Sequence, residues 1–203
     1  MKTLLITGGT GNLGSTVIRR LAQDYRCIVL YHAEAGWQAL RKIVDVEGVA
    51  ANLSDEADVK RAVDQCGEVY GLVHLVGGFA EGGVDAEESV WSNMMSLNLT
   101  TAATVIRAVL PHLTDGGRVV AISSYVTLKK RSGLAPYIVS KSALNALIEV
   151  LAIELRKRGI TANAILPDAL AEPAMREHVA ETIAWLLSDS AAKVSGLLIP
   201  MVA

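Results

Sequence analysis

Tyr137 and Lys141 stand four residues apart, a spacing that sets two side chains on one face of a helix, a turn from each other. A free phenol ionises near pH 10, too high for ready proton exchange at neutrality. A neighbouring ammonium favours the phenolate and brings that value down. Such a pair can give a proton to a carbonyl oxygen or take one back. The same spacing also describes a surface tyrosine beside a surface lysine, so context must decide. Ser124 lies thirteen residues before the tyrosine, at the end of an apolar run. Open α/β sheets hold their ligands at the ends of their strands, and one loop joins Ser123-Ser124 to the start of the Tyr137 helix.

A second group of residues is suited to phosphate. Thr7-Gly8-Gly9-Thr10-Gly11-Asn12-Leu13-Gly14 follows a short apolar strand and opens a helical stretch, and Gly9, Gly11 and Gly14 satisfy G-x-G-x-x-G. The early glycines permit a tight turn in which backbone N–H groups approach a pyrophosphate. Gly14 lets helix and strand pack closely, and the helix N-terminus adds partial positive charge.

The elements that must position these groups alternate along the chain. Apolar runs at Leu4-Leu5-Ile6, Cys27–Tyr31, Gly48–Asn52, Gly71–Val76, Arg118–Ser123, Ile160–Leu166 and Gly196–Ile199 read as seven strands. Helical spacing covers Thr16–Gln23, Asp55–Cys66 with Ser54 as N-cap, Ala86–Leu113 with an interruption near Asn98, Pro136–Lys157, and Ala180–Leu187. The fourth of these has proline at its start and Gly159 just past its end. Near-continuous apolar strands imply burial on both faces, hence a parallel sheet covered by helices. Right-handed crossovers then give one doubly wound, Rossmann-like α/β domain over residues 1–203.

Composition narrows the function classes. Half of the 203 residues are hydrophobic and a fifth are charged, with a net charge of −2. That balance leaves no footprint for nucleic acid or an anionic membrane, and Lys129-Lys130-Arg131 reads as a solvated loop. Cys27 and Cys66 lack metal-ligand spacing, so no metal is expected and an oxidising compartment is not required. The start of the chain is unlike a signal peptide. No stretch is expected to reach the roughly 20 apolar residues of a membrane span. A cytoplasmic protein acting on a small molecule is the expectation.

With these pieces in this order, the chain resembles the short-chain dehydrogenase/reductase family along nearly its whole length. The likeness is carried by Thr7–Gly14, by Asn98 in Ser96-Leu97-Asn98-Leu99, by Gly117–Ser124, and by Tyr137-Ile138-Val139-Ser140-Lys141-Ser142-Ala143-Leu144. The resemblance implies that Ser124 binds the substrate oxygen and that Tyr137 is the general acid/base. It implies that Lys141 holds the nicotinamide ribose and lowers the tyrosine pKa, and that Asn98 supports a water-linked proton relay. Cofactor contacts would come from Gly8, Thr10, Gly11, Asn12, Leu13 and Gly14, from His32, Asn52 and Leu53 on the adenosine side, and from Val76, Gly77, Tyr137, Lys141 and Pro167. The implied activity is hydride transfer between NAD(P)H and a carbonyl, alcohol or imine-like substrate. The counter-reading is a non-catalytic dinucleotide-binding sensor or scaffold.

Several positions depart from the family pattern. His32 takes the place of the acid that binds the ribose 2′-hydroxyl of NAD, and no arginine stands nearby. The missing acid, which would repel a 2′-phosphate, tilts the expectation toward NADP. The usual Asn-Asn-Ala-Gly is His74-Leu75-Val76-Gly77, with His74 read as packing within the sheet. Asn52 replaces the acid near adenine, Pro167-Asp168 replaces Pro-Gly, and Glu172 stands where a threonine often meets the carboxamide. The substrate-covering lid is shortened near 174–180, which predicts an open pocket that Phe79 and Met175 could line. Segments 75–83 and 168–173 are also similar to dihydropteridine reductases. Apolar residues on more than one side of Leu99–Leu113 and Tyr137–Lys157, together with the family likeness, imply a homodimer or homotetramer.

Overall fold

The computed structural model describes residues 1–202. In chain order it contains β1 (Thr3–Thr7), α1 (Asn12–Leu21), β2 (Arg26–Tyr31), α2 (Glu34–Arg41), β3 (Glu47–Ala50), α3 (Glu56–Asp64) and β4 (Val69–His74). The second half contains α4 (Glu88–Met95), a π-helical turn (Ser96–Thr100), α5 (Thr101–Val109), β5 (Leu113–Ile122), α6 (Ala135–Glu154), β6 (Thr161–Pro167), α7 (Pro173–Leu187) and β7 (Leu198–Met201). The strands form one sheet in the order β3-β2-β1-β4-β5-β6-β7. Every neighbouring pair is parallel. The order reverses between β1 and β4, which opens a crevice beyond the strand ends.

The two-residue strand period splits the core into two layers. Leu5, Leu72, Val119, Ala162, Ala164 and Leu166 share one cluster with Ala102, Val105, Leu144, Ile148 and Leu151 of α5 and α6. Leu4, Ile6, Val73, Val120 and Ile165 share the other with Val17, Ile18 and Leu21 of α1 and Val179, Ile183 and Leu187 of α7. Each large aliphatic side chain so enclosed contributes roughly 1.5–3 kcal/mol of transfer free energy.

Several expected boundaries move. The N-cap of α3 is Asp55, whose side chain accepts from Ala57 N at 2.9 Å and Asp58 N at 3.1 Å, rather than Ser54. β4 ends at His74, so Leu75, Val76 and Gly77 lie in the loop beyond it. Leu113 opens β5 instead of closing a helix. α7 begins at Pro173, seven residues before the expected start, with proline in the first turn where its missing N–H is harmless. α2 was not expected at all. It is short, lacks a side-chain cap, and buries only Trp37 and Leu40, with the Trp37 ring stacked on Tyr31 at 4.9 Å.

α6 corrects a further expectation. Its 20 residues are long and apolar enough, by length and composition, to cross a membrane. Here half of that stretch is buried, with Leu144, Ile148 and Leu151 in the core under β5 and β6. Its outer side leaves Val139, Val150 and Ile153 exposed.

Candidate active site

The π-helical turn sets the first catalytic candidate in place. Asn98 sits at its middle, fully buried, where the widened turn replaces regular α-helical pairing. Its Oδ1 accepts from Gly78 N at 2.9 Å. Its Nδ2 donates to Gly78 O at 3.1 Å and to Ser140 Oγ at 3.0 Å. The amide therefore ties the loop after β4 to α6. The helix interruption expected near Asn98 is this turn.

Lys141 lies one turn beyond Tyr137 on α6 and is buried. Its ammonium donates to Ile122 O, the last residue of β5, at 2.9 Å. Loss of water around the charge brings its pKa down to about 8. A Cβ built on Gly77 would come 2.7 Å from Lys141 Nζ and 2.8 Å from Asn98 Oδ1. The two polar groups thus converge on one point, and any side chain at 77 would push between them.

Tyr137 is half-buried, and Ser124 hydrogen-bonds its hydroxyl. Burial pushes the phenol above its usual range, and the serine bond pulls the other way more weakly. The lowering expected from Lys141 is not among the influences on the free protein's phenol. The phenol of the free protein is accordingly held in its protonated form. Ser123, the neighbour given no chemical role, bonds Ile165 O through its N–H and the Lys141 carbonyl through its hydroxyl, the latter at 3.4 Å.

The structure brings Asn98, Ser124, Tyr137 and Lys141 together at the ends of β4 and β5. The phosphate-type loop lies next to them, at the end of β1. Gly8, at φ +73°, has its Cβ position 2.9 Å from Leu75 C and Val76 N. The Cβ position of Gly14 is 2.3 Å from Gly8 O. These two glycines are demanded by the protein's own packing. A Cβ at Gly11 would meet nothing closer than Gly8 O at 3.6 Å. Its side faces open space in front of α1, whose N-terminus has no side-chain cap. Uncapped N–H groups behind an open glycine are the setting a pyrophosphate requires.

The adenosine-side candidates lie at the far edge. His32 is exposed just past β2. Asn52 is exposed past β3. Its N–H donates to Asp58 Oδ2 at 2.7 Å and its Oδ1 accepts from Ser54 N, leaving the amide nitrogen for a ligand. Leu53 is half-buried beside it, and Pro167 closes β6. Glu172 is exposed at the N-cap of α7. Among the described residues no group of three His, Cys, Asp or Glu side chains could hold a metal.

His74 is fully buried, and its Nδ1 shares a 2.9 Å hydrogen bond with Thr7 Oγ1 across the β1–β4 pair. Burial, aided by the Lys141 charge, pushes its pKa down to about 3, so the ring is neutral. It packs and pairs within the sheet, as read from the sequence.

Beyond Tyr137 a cavity of about 520 Å³ opens, lined by Phe79, Ser124, Val126, Leu134, Tyr137 and charged residues at its rim. Phe79 meets the Tyr137 ring edge-on at 5.0 Å, whereas Met175 is buried in the core. Arg131, read from sequence as part of a solvated loop, lines this cavity, and no sequence signal marked it. Only residues 168–172 separate β6 from α7, so the connection between them contains no helix. A second cavity, of about 480 Å³, lies at the far end of α6 among Ala152, Ile153, Arg156 and Lys193. It touches none of the groups above.

Comparison with known proteins gives a consistent picture. Residues 2–184 match the model of the short chain dehydrogenase family. Dehydrogenase/reductase SDR family member 4 of Homo sapiens is 31% identical over 180 residues, 82% of this chain and 65% of that protein. Its counterpart in Oryctolagus cuniculus is 30% identical, over 82% of this chain and 69% of its own. The chain therefore spans about two thirds of the length of these curated relatives. Among solved structures, a blue fluorescent protein from a metagenomic library, in complex with NADPH, is 27% identical. It has a TM-score of 0.86 over 98% of this chain and 96% of its own. A 3-ketoacyl-(acyl-carrier-protein) reductase from Brucella melitensis, complexed with NADH, shares the fold at a TM-score of 0.91 and 24% identity, over 99% and 96% of the two chains.

Proposed function

Because this chain belongs to the short-chain dehydrogenase family, we propose that it is an NAD(P)H-dependent oxidoreductase acting on a carbonyl, alcohol or imine-like small molecule. The observation that carries this reading is the convergence of Asn98, Ser124, Tyr137 and Lys141 beside an open, glycine-lined helix N-terminus. The bound nicotinamide would supply or accept hydride. Gly8, Thr10, Gly11, Asn12, Leu13 and Gly14 would hold its pyrophosphate, Val76, Gly77 and Pro167 its nicotinamide half, and His32, Asn52 and Leu53 its adenosine.

Ser124 fixes the substrate oxygen by a hydrogen bond and orients the phenol. Tyr137, protonated in the free protein, gives its proton to that oxygen during reduction and takes it back in oxidation. A positively charged oxidised ring nearby would favour the phenolate that the reverse direction needs. Lys141 supplies an ammonium for ribose hydroxyls, and Asn98 holds the loop and α6 so that a water-linked path can reach it.

NADP(H) is the preferred form in this reading. The end of β2 presents His32 in the place of the carboxylate, with Glu34 two residues later. Exposed Val139, Val150 and Ile153 on α6 support a homo-oligomer, and two buried unpaired cysteines suit a reducing, cytoplasmic setting.

A thermal-shift titration tests the cofactor assignment. At a hundredfold excess over Kd a ligand stabilises by about 2.7 kcal/mol, a rise of roughly 5–10 °C for a chain of this size. NADPH should give the larger rise. A larger rise with NADH would overturn the preference, and no rise with either would overturn the function. A rise with no turnover across carbonyl substrates would favour the sensor reading instead.

A further inference from the structure

Resting on the reductase reading above, we infer that the substrate is an uncharged, planar, ring-bearing carbonyl compound that stacks on Phe79. Phe79 is the chain's one phenylalanine and is 62% exposed, yet it is anchored rather than loose. Its ring stands at 75° to Tyr137, with centroids 5.0 Å apart. The loop that carries it is stitched to the loop before α6. Gly82 N donates to Gly133 O at 2.7 Å, and Ala135 N donates to Gly82 O at 2.8 Å, around a bridge between Gly82 and Leu134. A large apolar side chain held in water at the mouth of a cavity is a surface waiting for cover.

The shape of the site selects what covers it. Ser124 and Tyr137 supply the polar end, and Phe79, Val126 and Leu134 supply the apolar wall. The connection from β6 to α7 is only residues 168–172, and of it Asp168 alone lines the cavity, so it offers Phe79 no apolar wall opposite. A flexible chain bound there would lose rotamer freedom without gaining a second wall. A rigid ring loses little and gains a full aromatic contact. The charged residues of the lining are Glu81, Asp168 and Arg131, a balance unsuited to an anionic substrate. In the reaction the carbonyl carbon takes the hydride of the reduced nicotinamide and the oxygen takes the Tyr137 proton, giving the alcohol and oxidised coenzyme.

Benzaldehyde and cyclohexanecarbaldehyde match in size and differ in planarity, so their kcat/KM ratio with NADPH reads the stacking. The wild-type ratio should favour benzaldehyde about tenfold, the upper range of an aromatic pair. It should collapse toward unity in Phe79→Ala and return in Phe79→Trp, with circular dichroism confirming the fold. A ratio unchanged by Phe79→Ala, or a wild type indifferent to the two aldehydes, would overturn the stacking inference while leaving the reductase reading intact. Reduction of neither aldehyde, nor of a wider carbonyl panel, would overturn both.

Discussion

Replacing Tyr137 with phenylalanine is expected to lower kcat by about 10²- to 10⁴-fold, the contribution of a positioned general acid. The substitution removes one oxygen and keeps the ring, so the edge-on contact with Phe79 and the packing of α6 survive. The stabilisation given by NADPH should survive as well, because the proposed seat of the pyrophosphate is the turn after β1 and not the phenol. The same carbonyl substrate, assayed by loss of reduced nicotinamide absorbance, gives the comparison. Turnover within a few-fold of wild type would remove Tyr137 from the chemistry. Its raised pKa adds a direction. The phenol stays protonated across the neutral range, so reduction draws on an acid already loaded. Lys141, with its pKa near 8, loses its charge above that pH, so nicotinamide affinity should weaken in mildly alkaline buffer.

The second large effect concerns stability and acid. His74 is buried as a neutral ring with a pKa of about 3 in the folded protein, against an ordinary value of 6.5. Below pH 6.5 the unfolded chain binds a proton that the folded chain refuses. Unfolding therefore becomes easier as pH falls from 6.5 toward 3. One such proton changes stability by about 1.4 kcal/mol per pH unit, or roughly 2 kcal/mol between pH 6.5 and 5. Urea unfolding at those two pH values should show this slope in the wild type. In His74→Asn the amide can keep the bond to Thr7 without titrating, so the slope should be shallower by that amount. Equal slopes in the two proteins would show that His74 is not the buried neutral group described.

Much of this site could be read in the sequence because its signals are local. A G-x-G-x-x-G turn after a strand, and a tyrosine and lysine one helical turn apart, carry their geometry in their spacing. So does the alternation of apolar runs with helical stretches, which gives a parallel sheet. What escaped was decided by tertiary contact. α2 has an apolar face of two residues, Trp37 and Leu40, and becomes a helix by packing that tryptophan against Tyr31. The start of α7 at Pro173 was hidden because only Met175 of its first turn is buried, so helical periodicity shows only later. The state of Tyr137 in the free protein is likewise set by tertiary contact. Spacing places the lysine nearby, but only the fold shows its ammonium drawn to Ile122 O and both groups losing water. Phe79 and Met175 stand alike as pocket candidates in the sequence, and only the fold separates them, with Phe79 lining the cavity and Met175 buried in the core.

The crystal structure of the protein with NADPH bound is the most direct measurement of the central claim. The nicotinamide ring should lie within reach of the Tyr137 hydroxyl, with Lys141 Nζ turned onto the ribose hydroxyls and the pyrophosphate over Gly11. A coenzyme bound elsewhere, with the phenol and the ammonium far from its ring, would contradict the account.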